Sequence, residues 1–185
     1  MYAFIANMTA IFAVSLLGFA SASVPALSRE GAVYLRENAQ GVSSGNCLDG
    51  WVDASFVEMG CLYFNSTKAL SSWDETSSMC QTATPNSTLV EIRTAMQLAF
   101  VQMMIGVLAD HEGPRYWWTA GTDVGINGKW FWASSLTPVE DYVWPDNYPD
   151  SRDTANCMIL DFSGMTGAYN SNCDYTNAYP ICQLK

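Results

Sequence analysis

The sequence predicts an α+β domain with two short helices, antiparallel strands and a long irregular loop, and three observations point there. Ser72 with Glu75, and Thr94 with Gln97, are capping-box patterns, each opening a segment of helical period. Aromatic runs at 116–120 and 129–133 follow as strands, joined by a turn containing Gly125 and Asn127-Gly128. From Leu136 to Ala155, Pro, Asp and Asn dominate and no period emerges, which marks a long loop of the kind that carries function in a compact domain.

Each element follows in chain order. An apolar run from Ile11 to Phe19 ends at Ala20-Ser21-Ala22, a small-x-small cleavage site, so residues 1–22 read as a signal peptide. Ser21, Ser23 and Pro25 interrupt the run before the ~20 apolar residues that a membrane span needs. Residues 23–45 are polar, with Arg29, Glu30, Arg36, Glu37 and Asn38, and read as a connector to one domain at 46–185. Cys47-Leu48-Asp49-Gly50-Trp51 and Cys61-Leu62-Tyr63-Phe64 predict a hairpin. The first helix is expected over Ser72–Cys80, with Trp73, Ser77 and Cys80 at helical spacing. The second carries Leu98, Val101, Ile105 and Leu108, with Met103 and Met104 as packing residues. Cys157–Asp161 and Tyr179–Gln183 are the last strand candidates.

Export to an oxidising, extracellular compartment makes the six cysteines disulfide partners rather than metal thiolates. None has C-x-x-C spacing, and spacing alone leaves about fifteen pairings open. Asn65-Ser66-Thr67 and Asn86-Ser87-Thr88 are glycosylation acceptors that agree with secretion as a glycoprotein. With 18 acidic against 8 basic residues and a formal charge of -10, the surface repels nucleic acid and anionic membranes. Glu140, Asp141, Asp146, Asp150 and Asp153 cluster in the loop, opposed there only by Arg152, and clustered oxygens suit a hard cation such as calcium. An enzyme is not expected. The single histidine, His111, lacks the second histidine of an H-E-x-x-H zinc site, and Asp141 and Asp146 are explained by loop solvation.

These residues resemble the C-type lectin-like family from about Cys47 to Cys182. Cys47-x-x-Gly50-Trp51 with Cys61-x-Tyr63-Phe64 is similar to the family's long-form N-terminal hairpin, and Trp73 to Cys80 to its first helix. Leu89-Val90-Glu91-Ile92 matches the strand before the second helix. Tyr116-Trp117-Trp118-Thr119-Ala120-Gly121 is similar to the core strand in its arthropod-like WTxGTD form, continued by Gly128-Lys129-Trp130-Phe131-Trp132. Cys157, Cys173 and Pro180-Ile181-Cys182 complete the frame. The resemblance implies a secreted invertebrate member with three disulfides, Cys47–Cys61, Cys80–Cys182 and Cys157–Cys173. Trp117, Trp118, Trp130 and Trp132 are expected to pack the core.

The resemblance also implies a site. Sugar-binding members hold calcium with an EPN or QPD tripeptide, an acidic residue before the next cysteine, and a WND motif, and the ion takes two sugar hydroxyls. Trp144 sets the register and puts Tyr148-Pro149-Asp150 at the tripeptide, so Asp150 keeps an oxygen ligand while Tyr148 supplies a neutral phenol. Ala155 stands at the acidic position beside Asn156, and Asn170 falls in the WND position in either register, with Ser171 next to it. The expected ligand-binding residues are therefore Tyr148, Asp150, Asn156 and Asn170. The expected calcium ligands are Asp150, Asn156, Asn170 and Ser171, with Asp153 and Asp161 as supplements. A shell with so few carboxylates implies weak calcium binding, roughly 10⁻⁴–10⁻³ M.

The function the resemblance implies is that of a secreted carbohydrate-binding lectin, with calcium dependence left open by the thinned ligand set, directed at glycans or glycoproteins on microbial or self surfaces, a role in innate immunity. The alternative is a calcium-independent protein-binding or extracellular-matrix module of the same fold, which the thinned ligand set favours. Ice or mineral binding finds no periodic Thr or Asp array. Both selectivity tripeptides are absent, so sugar preference stays open, as does the oligomeric state.

Overall fold

A computed structural model describes residues 47–66, 72–108, 115–161 and 167–185. The expected signal peptide and connector, His111 and the last residue of the Asn65 glycosylation triplet lie outside the described residues.

Strand β1 (Val52–Asp53) pairs antiparallel with β2 (Cys61–Phe64), and a 3₁₀ turn at Ser55–Val57 lies between them. Gly60 permits the return: its φ is +67°, and a Cβ there would run into the Leu184 carbonyl. Helix α1 (Trp73–Ala83) starts where the capping pattern predicts, with the Glu75 N–H donating to Ser72 Oγ at 3.2 Å and Asp74 and Glu75 in its positive first turn. It continues three residues past Cys80 and stops before Pro85. Helix α2 (Ala95–Leu108) is capped by Thr94 Oγ1, which accepts the Gln97 N–H at 3.1 Å. The Gln97 side chain reaches back to the Arg93 N–H at 2.7 Å and across to the Val57 carbonyl at 2.9 Å, which ties α2 to the hairpin.

Between the helices, β3 (Thr88–Leu89) pairs with β8 (Ala178–Leu184), shorter than the Leu89–Ile92 strand expected. Val90 still bonds on both sides, to Ile181 and Ala120, before the chain leaves the sheet. The remaining strands are β4 (Tyr116–Thr122), β5 (Phe131–Trp132), β6 (Cys157–Asp161) and β7 (Ala168–Ser171). Strand order is β1-β2-β8-β4-β6-β7, with β3 on β8 and β5 on β4.

Two features differ from the sequence expectation. The sheet is mixed, because β4 and β8 run parallel, Trp117 opposite Tyr179. Parallel neighbours need a long intervening connection, and these two are separated by half the domain. Strand β7 is additional. Its four residues alternate buried and half-buried, a half-covered edge strand too short for a period to show.

The core is aromatic, as expected of Trp117, Trp118 and Trp132, each 0% exposed, while Trp130 is half-buried. Leu98, Val101, Met104 and Ile105 bring α2 onto it. All three disulfides pair as the resemblance implied, Cys47–Cys61, Cys80–Cys182 and Cys157–Cys173. The second joins α1 to β8, and the third joins the start of β6 to the turn after β7, beneath the long loop.

One charged group is buried under the sheet's edge. Glu91 is 1% exposed, and its carboxylate accepts from Lys185 Nζ at 2.8 Å, Arg93 Nε at 3.1 Å and the Ser134 hydroxyl. Burial alone would raise its pKa; Lys185, Ser134 and Arg93 outweigh that and hold it at about 2.

Candidate functional site

The loop from β5 to β6 is irregular in period but tightly placed. Leu136 turns the chain with φ +57°, its N–H donating to the Trp132 carbonyl at 2.8 Å, and Val139 N–H returns to Trp130 at 3.0 Å. A 3₁₀ turn at Asp141–Val143 sinks Val143 to 0% exposure, and Trp144 meets Trp130 edge to face at 4.8 Å. Gly167, at φ +140°, lets this turn sit on the start of β7. A Cβ there would stand 2.6 Å from the Val143 carbonyl and 3.0 Å from the Pro145 ring. Asn147 then reverses the chain at φ +68°, and the Tyr148–Pro149 peptide bond is cis.

The register of β7 on β6 places Asn170 opposite Met158 and Ser171 opposite Cys157, with Asn170 on the buried face. Its amide closes the loop. Asn170 Oδ1 accepts the Asp150 N–H at 3.0 Å, and Nδ2 donates to the Asp150 carbonyl at 3.0 Å, to Asp150 Oδ1 at 3.0 Å and to the Ala155 carbonyl at 3.2 Å. Arg152 completes the knot: Nε lies 2.7 Å from the Asp150 carboxylate, and Nη2 donates to the Asn170 backbone carbonyl at 3.1 Å. Arg152 first, and Asn170 after it, hold the Asp150 carboxyl below its ordinary pKa. Tyr148 turns its ring onto Tyr169, centroids 4.6 Å apart and nearly perpendicular.

Asp150 and Asn170 thus meet, as the sequence expected, with Tyr148 alongside. The other expected residues lie elsewhere. Asn156 belongs to the end of β4, its backbone carbonyl accepting from Thr122 Oγ1 at 2.7 Å and from the Asp123 N–H at 3.2 Å. Ser171 sits in the β7 ladder opposite Cys157. Asp153 accepts from Asn127 Nδ2 at 3.4 Å. Asp161 is bound to Arg115 at 3.2 Å at the far end of β6, about 13 Å along the strand from Cys157.

Calcium takes six to eight oxygens, so the donors can be tested against it. Asp150 and Asn170 do not fit, because Arg152 already neutralises the one carboxylate and the loop backbone holds the amide oxygen. Asp123 and Asn156 leave oxygens open, but only two. Asp123 is 4% exposed, and its Oδ2 accepts from the Gly128 N–H at 2.7 Å, while its Oδ1 and Asn156 Oδ1 are buried acceptors without a hydrogen-bond partner among the described residues. Only one of the pair is a carboxylate, and no group of three or more His, Cys, Asp or Glu able to hold a metal occurs among the described residues.

Asp123, Arg152 and Tyr169 are the residues that sequence reasoning passed over as site members. Asp123 had a signal, the Gly121-Thr122-Asp123 end of the core strand. Arg152 had only its isolation among acids, and Tyr169 its place before Asn170 at the WND position.

The described residues thus form a mixed sheet that carries a long loop pinned by disulfides, with a polar knot at its tip. Residues 69–184 match the Lectin C-type domain, and the chain belongs to that family. No curated protein matches it significantly. Among solved structures, human lithostathine superposes with TM-score 0.64 at 24% identity, covering 75% of this chain and 99% of that one. The mouse scavenger receptor C-type lectin carbohydrate-recognition domain gives 0.60 at 20%, covering 75% and 96%. A calcium-independent type II antifreeze protein gives 0.60 at 18%, covering 75% and 93%. These likenesses establish the fold. No helix among the described residues is long and apolar enough to cross a membrane.

Proposed function

We propose that this chain is a secreted glycan-binding module that recognises neutral sugars on microbial or self surfaces at the tip of the 144–156 loop, without a metal ion bridging to the sugar. The observation that carries this reading is the exposed Asp150–Arg152 pair beside the Tyr148 and Tyr169 rings, with side-chain exposures of 31% and 59%. A sugar hydroxyl both donates and accepts. The guanidinium edge donates a hydrogen bond to one hydroxyl, the part of the carboxylate left in water accepts one from another, and an aromatic ring covers the apolar face of the pyranose. The surrounding acids Asp141, Asp146 and Asp153 disfavour anionic glycans.

This reading needs no metal at the base of the loop, where Asp123 Oδ1 and Asn156 Oδ1 are two buried acceptors, too few for an ion that takes six to eight oxygens. The test is a glycan array probed in chelator and in calcium. Retention competed by free monosaccharide and surviving chelation supports the reading, and retention that needs calcium and is lost in Asp123→Asn moves the metal into the binding step.

A second reading, a protein-binding module, is favoured by the apolar residues left in water at Leu48, Phe56 and Met96, of which Phe56 is 66% exposed and Met96 62%. Loss of a protein partner in Phe56→Ser, with glycan retention unchanged, supports it.

A further inference from the structure

We propose that the exported, folded chain carries an N-linked glycan at Asn86, and that the second acceptor triplet, at Asn65, stays bare. The proposal rests on the secreted reading, but not on sugar binding by the loop.

The two triplets are equal in sequence, since each is Asn-Ser-Thr. The fold makes them unequal. Helix α1 ends at Ala83, and the chain reverses into β3 through Thr84-Pro85-Asn86-Ser87, where the Ser87 N–H donates to the Thr84 carbonyl at 3.1 Å. Pro85 stands second in this turn and Asn86 third, at φ +70°, which is the type II pattern. Asn86 is exposed at the corner, while its neighbour Ser87 is 1% exposed and donates its hydroxyl to the Cys80 carbonyl. The acceptor amide therefore stands in water on a turn that is closed by other groups, and a bulky polar chain can be attached there without moving a packed residue.

Asn65 is placed in the opposite way. It follows the last residue of β2 and extends that strand's ladder, its N–H donating to the Pro180 carbonyl of β8 at 3.3 Å. Its side chain is half-buried and turned onto α1, with Nδ2 3.9 Å from Met79 Sδ. A sugar on that nitrogen has to displace the amide from the helix it packs against, so chains modified there fold at a disadvantage and the exported protein is bare at this position.

The donor is a lipid-linked oligosaccharide diphosphate. The bond from Asn86 Nδ2 to the anomeric carbon forms as the bond from that carbon to the diphosphate oxygen breaks; the lipid diphosphate leaves with the electron pair, and the amide nitrogen gives up one proton. The placement leaves the loop open as well. Strand β3 hangs on β8, and β4 and β6 separate β8 from β7, which anchors the 144–156 segment.

The experiment expresses the full chain in a eukaryotic secretory host and measures the intact mass of the exported protein before and after an amidase that releases N-glycans. Release should remove the mass of one glycan and leave a carboxyl in place of the amide at position 86 of the peptide map. Asn86→Gly suits the positive φ of the corner and removes the acceptor nitrogen. Thr88→Val keeps Asn86 and the strand but removes the hydroxyl that the triplet requires. Each should abolish the mass loss completely, and Asn65→Gln should leave it unchanged. Near-ultraviolet circular dichroism of the tryptophan core checks that the variants are folded. An exported protein without sugar at position 86, a mass loss that survives Asn86→Gly or Thr88→Val, or one that shrinks in Asn65→Gln overturns the proposal and leaves the secreted reading standing. A parent chain that is retained in the cell overturns both.

Discussion

The side-chain amide of Asn170 pairs with the backbone of Asp150 in both directions, accepting its N–H at 3.0 Å and donating to its carbonyl at 3.0 Å. One residue of β7 thereby acts as a strand neighbour for a loop that has no ladder of its own. Asn170→Ala should remove both bonds and strand the Ala155 carbonyl, which also depends on that amide at 3.2 Å. The expected cost is about 1–3 kcal/mol of stability. Denaturant titration measures it. A change under about 0.5 kcal/mol, the ordinary range for surface substitutions, would mean the loop is held by other contacts.

Gly167 makes the same seat possible from below. A methyl group there meets the Val143 carbonyl at 2.6 Å, and φ of +140° is a conformation that side chains rarely adopt. Gly167→Ala should therefore lift the Asp141–Val143 turn, at a cost on the order of 1–3 kcal/mol, and weaken glycan retention. The aromatic core around Trp117 and Trp118 should keep its near-ultraviolet circular dichroism. Unchanged retention would separate the turn from the binding surface.

Much of the scaffold was legible because the signals were local. Ser72 with Glu75 and Thr94 with Gln97 mark helix starts within four residues, and both Ser72 and Thr94 accept the expected N–H. The disulfides needed the order of cysteines along a known frame, since spacing alone allows many pairings. At the site, a known frame is enough to bring Asp150 and Asn170 together, but it does not show the guanidinium that joins them. Whether a carboxylate faces a metal or a guanidinium depends on which side chain folds back two residues later, and composition showed Arg152 only as a stray positive charge. Asp123 was missed because a buried, partnerless oxygen is a property of the folded chain. Strand β7 was read only as ligand positions because four residues of alternating burial carry too little period.

Glu91 predicts the acid limb of stability. Its carboxyl is held near 2 in the folded state against an unfolded value near 4.5, so the folded protein binds its proton later. The contribution is complete above about pH 5 and is lost as pH falls from about 4.5 through 2, where the unfolded chain takes up the proton first. It is on the order of 3 kcal/mol. Glu91→Gln should flatten the stability profile across that window and lower stability at neutral pH, because Lys185 and Arg93 lose their shared acceptor. Chemical denaturation at steps between pH 5 and 2 checks it, and parallel profiles for parent and variant would reassign the acid sensitivity to other carboxylates.

The disulfides should differ in worth. Cys80–Cys182 spans 102 residues of sequence, while Cys47–Cys61 spans 14 and Cys157–Cys173 spans 16. A cross-link removes unfolded-chain entropy in proportion to the logarithm of the loop it closes, so the long bridge stabilises by about 4.7 kcal/mol and each short one by about 3 kcal/mol. The position of the long bridge adds to the difference, since Cys80 and Cys182 are both 0% exposed and their removal leaves a defect between α1 and β8. Replacing both Cys80 and Cys182 with Ala should therefore depress secretion and thermal stability more than replacing both Cys47 and Cys61. The Cys157 and Cys173 pair should fall close to the short hairpin bridge in stability, but its loss should loosen the loop anchored beside Cys157 and weaken glycan retention selectively. Secreted yield, melting temperature and retention measured on the three double variants test this ordering. Equal losses in all three would show that a common folding step, and not loop entropy, sets the role of the bridges.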